Sequence, residues 1–393
     1  MTESSTFVIV GLQPWYTAIG SNCKHIAKNL SKNNKVLYIN ASLDRRSVLN
    51  KKDNKDIAHH IEVTKNGKGF LNQIDENIWE FYPARILESI NWIPNTWLFQ
   101  KFNYVNNKRF AKDIQEALNL LSIKDFYLFN DNEIFRAFYL KDLLKPKAYI
   151  YYCRDYLLGV DYWKKHGEKL EPLHIKNADY AMANSSYLAS YLKKYNSNSI
   201  DVGQGCDTEM FNGFLERIIP EDLLSIKGEK IGYVGALNSL RLDITCLEYI
   251  AKERPDWQIV LVGPEDDDFR KSELHQLKNV HFLGQKKLDE LPSYIAGFDV
   301  CLNPQRINEV TIGNYPLKID EYLNMGKPVV ATKTEAMQLF ESYTYLATNP
   351  QEYVYFIERA LDEDSEENMN KRINFANQHT WDNSVAKIVN ALI

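Results

Sequence analysis

The sequence predicts an α/β protein built from two doubly wound domains, and three observations carry the prediction. The chain has 393 residues, more than one ordinary domain holds, and its 45% hydrophobic and 25% charged content suits a packed globular protein. Two segments begin alike, Thr6 to Leu12 (TFVIVGL) and Lys230 to Leu237 (KIGYVGAL), each a β-rich run entering a glycine-containing loop. Each start leads into a helix-length stretch and a second apolar strand, which is the pattern of a β-α-β unit with parallel strands.

The elements follow in order. After the first start come an amphipathic stretch near His25 to Leu30 and the strand VLYIN (Val36 to Asn40). FYLFN (Phe126 to Asn130), AYIYY (Ala148 to Tyr152) and YAMAN (Tyr180 to Asn184) read as further strands, with Ser185 and Ser186 placed to cap the helix YLASYLKKY. After the second start come the helix CLEYIAKE and the strands WQIVLVG (Trp257 to Gly263), VHFLG (Val280 to Gly284), DVCLNP (Asp299 to Pro304) and PVVAT (Pro328 to Thr332). Two separate starts favour two sheets over one. The expected division is 1–205, 206–375, and a final helix in 376–393 that crosses back to the first domain. Residues 203–230 read as an interdomain linker, and the lysine-rich region 43–68 as an irregular surface insertion.

Composition narrows the setting. No run approaches the ~18–20 apolar residues of a membrane-spanning helix, and Phe7 to Leu12 reads as a strand rather than a signal peptide. The five cysteines are scattered, without CxxC or Cys/His spacing, so a reducing, cytoplasmic setting with small buried cysteines and no structural zinc is expected. Charge divides unevenly. Residues 1–205 hold 28 Lys and Arg against 21 Asp and Glu, a net +7, and the rest hold 19 against 31, a net −12. The first half is thus suited to an anionic partner.

Four segments of the second half, in order, carry a family resemblance: IGYVGAL, DWQIVLVGP, NVHFLGQ with LDELPSYIAGFDVCLNP, and NYPLKIDEYLNMGKPVVAT. Together they resemble the C-terminal domain of GT-B glycosyltransferases of the family 4-like group (glycosyl transferases group 1), in particular bacterial enzymes that assemble polysaccharides or lipid-linked saccharides. The first half is similar more loosely, through Gly20-Ser21-Asn22 ahead of a helix and NSSYLASYL before DVGQGCDTEMF. The resemblance implies two Rossmann-like domains facing a central cleft, with a nucleotide-sugar donor held by the C-terminal one.

The residues fit that implication. A diphosphate needs backbone N–H groups at a helix N-terminus and a cation. Gly235 and Gly263 end strands where the backbone can approach a ligand closely, and Arg241 follows in a loop suited to a bidentate phosphate contact. Asn314, Tyr315 and Pro316 lead into a helix whose Lys318 supplies a second cation. Glu321 stands where the resemblance implies a carboxylate on the donor's ribose hydroxyls, a task for a group that accepts two hydrogen bonds. Gly20 and Ser21 would form the diphosphate-side loop of the first domain. One departure stands out: the family's retaining enzymes carry a Glu eight residues before the second one, and here that place is Gly313, with Glu309 four residues earlier. The stereochemical course therefore stays open.

For the base, Asp155 follows AYIYY at its carboxyl end, with Asp161 and His166 as weaker candidates. Ser89 to Lys112 interleaves Trp92, Trp97, Phe99, Phe102 and Tyr104 with Lys101, Lys108, Arg109 and Lys112, a mixture suited to peripheral contact with the inner face of a membrane. No nucleic-acid module is present, no cofactor or metal is called for, and Asp266-Asp267-Asp268 reads as a solvated loop. The expected function is transfer of a sugar from a nucleotide-sugar to a cell-surface glycan or lipid-linked saccharide. The rivals are a sugar-nucleotide epimerase, a phosphorylase, and a non-catalytic partner that kept the fold.

Overall fold

The computed structural model describes residues 4–17, 21–50 and 54–392. The chain forms two compact units, Met1–Gly203 with Val385–Ile393, and Gln204–Ser384. The closing helix Trp381–Asn390 spans the second point of passage.

The first unit holds eight strands: β1 (Thr6–Val10), β2 (Lys35–Ile39), β3 (Phe70–Asp75), β4 (Ile78–Tyr82), β5 (Tyr127–Asp131), β6 (Ala148–Cys153), β7 (Tyr180–Ala183) and β8 (Ser199–Asp201). They lie in the order β3-β4-β2-β1-β5-β6-β7-β8, all parallel except β3, which is antiparallel to β4. Phe7 through Val10 are buried, as are all five residues of β5, because helices cover both faces and leave no side to alternate toward water.

The second unit holds β9 (Lys230–Val234), β10 (Gln258–Val262), β11 (Val280–Phe282), β12 (Val300–Asn303), β13 (Val329–Thr332) and β14 (Tyr345–Ala347). Their order is β11-β10-β9-β12-β13-β14, entirely parallel. Counted within the unit this is 3-2-1-4-5-6, the doubly wound order whose direction reverses between the first and fourth strands. The first unit repeats it around β1, with the reversal between β1 and β5. At such a reversal neighbouring loops diverge and leave a crevice at the carboxyl ends of the strands.

Three features differ from the sequence expectation. The β3–β4 hairpin is unforeseen, because β3 is an edge strand whose Phe70, Leu71 and Ile74 do not alternate, and because Glu80 interrupts the apolar run of β4. Region 43–68 is more regular than expected, with helices Arg45–Leu49 and Lys55–Val63 capped by Asp44 and Asn54. The stretch after Gly203 is packed rather than a free linker: Phe211, Leu223 and Ile226 are buried in the core of the second unit.

Candidate functional site

The second unit's site begins at two glycines. Gly235 follows β9 at φ +142°, and Gly263 follows β10 at φ +154°, both in the region that favours glycine. A Cβ on Gly263 would sit 1.9 Å from the carbonyl oxygen of Gly235, so the two strand ends meet backbone to backbone. The loop after β9 is tied down on both sides. Leu237 donates its N–H to the Pro264 carbonyl at 2.8 Å, and Asp243 donates to the Pro304 carbonyl at 2.9 Å, which brings the ends of β9, β10 and β12 together. Arg241 is exposed on this loop.

Asp266 is not the solvated residue expected of it. Its Oδ1 caps the helix Asp267–Lys271, and its Oδ2 accepts the N–H of Ser239 at 2.6 Å, fixing the loop that carries Arg241. Asp268 accepts from the Ser239 hydroxyl at 2.7 Å, and Asp267 pairs with Arg270.

The helix Leu317–Asn324 supplies the charges. Its N-cap is Pro316, which has no side-chain oxygen to cap the first turn. Lys318 comes against the first glycine: a Cβ on Gly235 would lie 3.0 Å from its Cε and 3.3 Å from its Nζ. The Nζ also stands 5.2 Å from the centre of the Tyr233 ring. Glu321, one turn on, is half-buried and its carboxyl is pushed up to about 7, chiefly by desolvation, against the pull of Lys318 and with help from Asp320 and Asp207. Among the described residues neither the Lys318 ammonium nor the Glu321 carboxylate has an ion pair or hydrogen bond within 3.5 Å. Two charged groups on one helical face, lacking partners beside a close backbone approach, form an arrangement that a polar anionic ligand would complete.

Tyr315, just ahead of the N-cap, turns its side chain inward. It is buried, and its hydroxyl donates to Asp320 Oδ2 at 2.6 Å. The other oxygen of Asp320 meets His379 Nδ1 at 2.8 Å. Burial raises the Asp320 carboxyl, and these two partners oppose the rise. Asp320 is thus an internal clamp that holds the approach to the helix against the segment around His379. Cys206, whose N–H donates to the His379 carbonyl at 2.8 Å, belongs to the same knot. Asn314 is half-buried and donates its N–H to the Thr311 carbonyl. Gly313 is buried, while Glu309 is exposed on the preceding turn.

In the first unit the residues around the β1–β5 reversal are charged and enclosed. Asp131 ends β5 fully buried and accepts from the Leu12 N–H at 3.2 Å, while Arg154 Nε lies 3.0 Å from its Oδ1. Burial pushes the Asp131 carboxyl up, and Arg154 pulls it down. Asn132, at φ +56°, turns its side-chain oxygen to the N–H groups of Arg154 and Asp155, both at 3.1 Å. That pair of bonds fixes the backbone of Asp155, which is half-buried just past the carboxyl end of β6. Ser21 caps the helix Asn22–Ser31 by accepting from the Lys24 N–H, and Gly20 lies outside the described residues. The two weaker candidates separate. His166 is buried and stacked on Phe99 with centroids 4.0 Å apart, while Asp161 is exposed at the start of its helix.

Sequence reasoning missed the Asp131–Asn132 pair and Asp320. The first pair was findable, since Asp131 and Asn132 follow the predicted strand FYLFN directly at its carboxyl end. Asp320 was not, because nothing local distinguishes it from a solvated helical Asp.

Two parallel sheets in this order define the class. Anabaena HepE in complex with UDP superposes with a TM-score of 0.64 at 15% identity, over 99% of each chain. Sucrose-phosphate synthase from Thermosynechococcus elongatus does so with a TM-score of 0.68 at 13% identity, over 99% of this chain and 98% of that one. The shared fold is GT-B. Residues 228–363, within the second unit, match the model of the family Glycosyl transferases group 1. A relative by sequence is TuaH of Bacillus subtilis (strain 168), provisionally named a teichuronic acid biosynthesis glycosyltransferase. It is 28% identical over 218 residues, 53% of this chain and 55% of TuaH, so the match spans about half the length of each.

Proposed function

We propose that the chain transfers a sugar from a nucleoside-diphosphate sugar, with uridine as the base, to a hydroxyl of a growing bacterial surface polysaccharide or its lipid-linked precursor. The observation that carries this reading is the pair Lys318 and Glu321, which lack partners at an uncapped helix start beside Gly235. Glu321 accepts hydrogen bonds from the two ribose hydroxyls, and Lys318 with the first N–H groups of its helix faces the diphosphate. HepE, which shares the fold, has been crystallised with UDP and with UDP-glucose, and TuaH is named for a polysaccharide; both support the choice of base and acceptor class.

In the transfer, the acceptor oxygen attacks the anomeric carbon as the bond from that carbon to the diphosphate oxygen breaks. The leaving diphosphate takes the electron pair, and the cation and helix N-terminus stabilise its charge. The acceptor's proton passes to a carboxylate, for which Asp155 is our assignment because Asn132 fixes its backbone at a strand's carboxyl end. Arg241, on its pinned loop, is assigned to the diphosphate.

The test is thermal stabilisation by UDP, GDP, ADP and CMP. We expect a selective rise with UDP that Glu321→Ala abolishes, and no rise with any nucleotide well above ~1 mM would overturn the reading. A nucleotide-binding partner without turnover is the second reading. It is favoured by Gly313, buried and without a side chain where the resemblance implies a carboxylate. UDP stabilisation with no hydrolysis or transfer of any UDP-sugar would select it.

A further inference from the structure

The most unusual surface of the first unit lies outside its strand-end site. The helix Thr96–Leu120 buries Phe110, Ile114, Ala117 and Leu118 in the core with the sheet, and Phe99 against Phe135 and His166, which accounts for one face. The opposite face of its first turns, with the loop before it, exposes Trp92 (75%), Trp97 (66%), Phe102 (46%), Val105 (45%), Tyr104 (43%) and Leu98 (41%). Single exposed apolar residues are ordinary, but six within one short stretch make a patch that calls for an occupant. From Ser89 to Lys112 there is no Asp or Glu, and four residues are Lys or Arg. Arg109 is paired with Glu88, whereas Lys101, Lys108 and Lys112 have no ion-pair partner among the described residues. Two of these lysines lie over the patch's own rings, Lys101 at 5.2 Å from the Trp97 centroid and Lys108 at 5.5 Å from that of Tyr104.

We infer that this face docks on a lipid bilayer bearing anionic headgroups, with the helix axis along the surface. Exposed tryptophans beside lysines suit the headgroup layer, where rings enter the acyl boundary and ammonium groups remain among phosphates. A second copy of the chain fits poorly. In a twofold contact the same patch meets itself, and three uncompensated lysines would then face three more. A protein interface of this size would be depleted in lysine at its centre, whereas here the lysines sit on the aromatic rings. The inference is independent of the proposed sugar transfer, since it needs only the surface.

Co-sedimentation with vesicles tests it. Vesicles of phosphatidylglycerol and phosphatidylcholine should carry down the full chain, with binding weakened by salt, and vesicles of phosphatidylcholine alone should carry far less. Trp92→Ser with Trp97→Ser should weaken binding at least tenfold. Lys101→Gln, Lys108→Gln and Lys112→Gln together should weaken it about 100-fold, from roughly a fivefold contribution per removed charge. Both sets lie on solvent-facing positions, and unchanged melting temperatures will establish that the variants fold. No binding to the anionic vesicles, or binding that neither set weakens, overturns the inference. So does self-association that depends on the two tryptophans without vesicle binding, which would make the face an interface between copies.

Discussion

Both sheets reverse their strand order around a first strand, yet the two units treat charge at that point in opposite ways. In the first, Asp131 and Arg154 are enclosed and paired, and Asn132 takes up the neighbouring backbone N–H groups. In the second, Lys318 and Glu321 stand without partners beside two backbones in contact. Charges paired within the unit contribute to a fixed shape, whereas charges without an internal partner are held ready for something brought from outside. The same topology thus carries paired charges in one unit and, on the function proposed above, the donor's receiving site in the other.

Four substitutions or conditions would break or sharpen this contrast. The largest effect should come from Arg154→Ala, which leaves Asp131 buried and unpaired. Denaturant unfolding should show a loss of about 3–5 kcal/mol, and a loss near that of a surface change, about 0.5 kcal/mol, would remove the contrast. Glu321→Ala should leave the melting temperature of the ligand-free protein unchanged or higher while weakening UDP binding about 10- to 100-fold by calorimetry, the equivalent of one charged hydrogen-bonding group. Tyr315→Phe removes one bond to Asp320 and should cost about 1–2 kcal/mol in the same unfolding experiment, because the carboxylate keeps His379.

The smallest effect is a slope with pH. The Glu321 carboxyl is raised from 4.5 to about 7 in the folded chain, so between those values the native state holds a proton that the unfolded chain has released. Its contribution to stability therefore falls as pH rises from about 5 through 7. The Glu321→Gln protein should lack that part of the slope, and a difference in melting temperature that widens in the variant's favour from pH 5 to pH 8 would establish it. Partial solvation of the site keeps the effect modest.

The sequence made the central strands of both units legible, because strands covered on both faces read as unbroken apolar runs. The edge strand β3 and the three-residue strands β8 and β14 escaped notice for the converse reason: short or half-solvated strands leave no run to read, while buried β4 has its apolar run broken by Glu80. Within the candidate site, glycines and charges at strand and helix ends stood out, since position along the chain implies a place at the carboxyl edge. The role of Tyr315 was not legible. Whether a tyrosine faces a ligand or an internal carboxylate depends on where His379, far along the chain, comes to rest.

The five cysteines have a practical consequence. All are buried, and burial raises every one of their thiols, so the native chain offers a thiol reagent very little thiolate. Modification must then wait for local or global opening. Cys23 and Cys153 lie in the first unit, and Cys206, Cys246 and Cys301 in the second. Site-resolved labelling rates would therefore time the breathing of each unit separately in the unmodified protein, and would show which of them a bound nucleotide quiets.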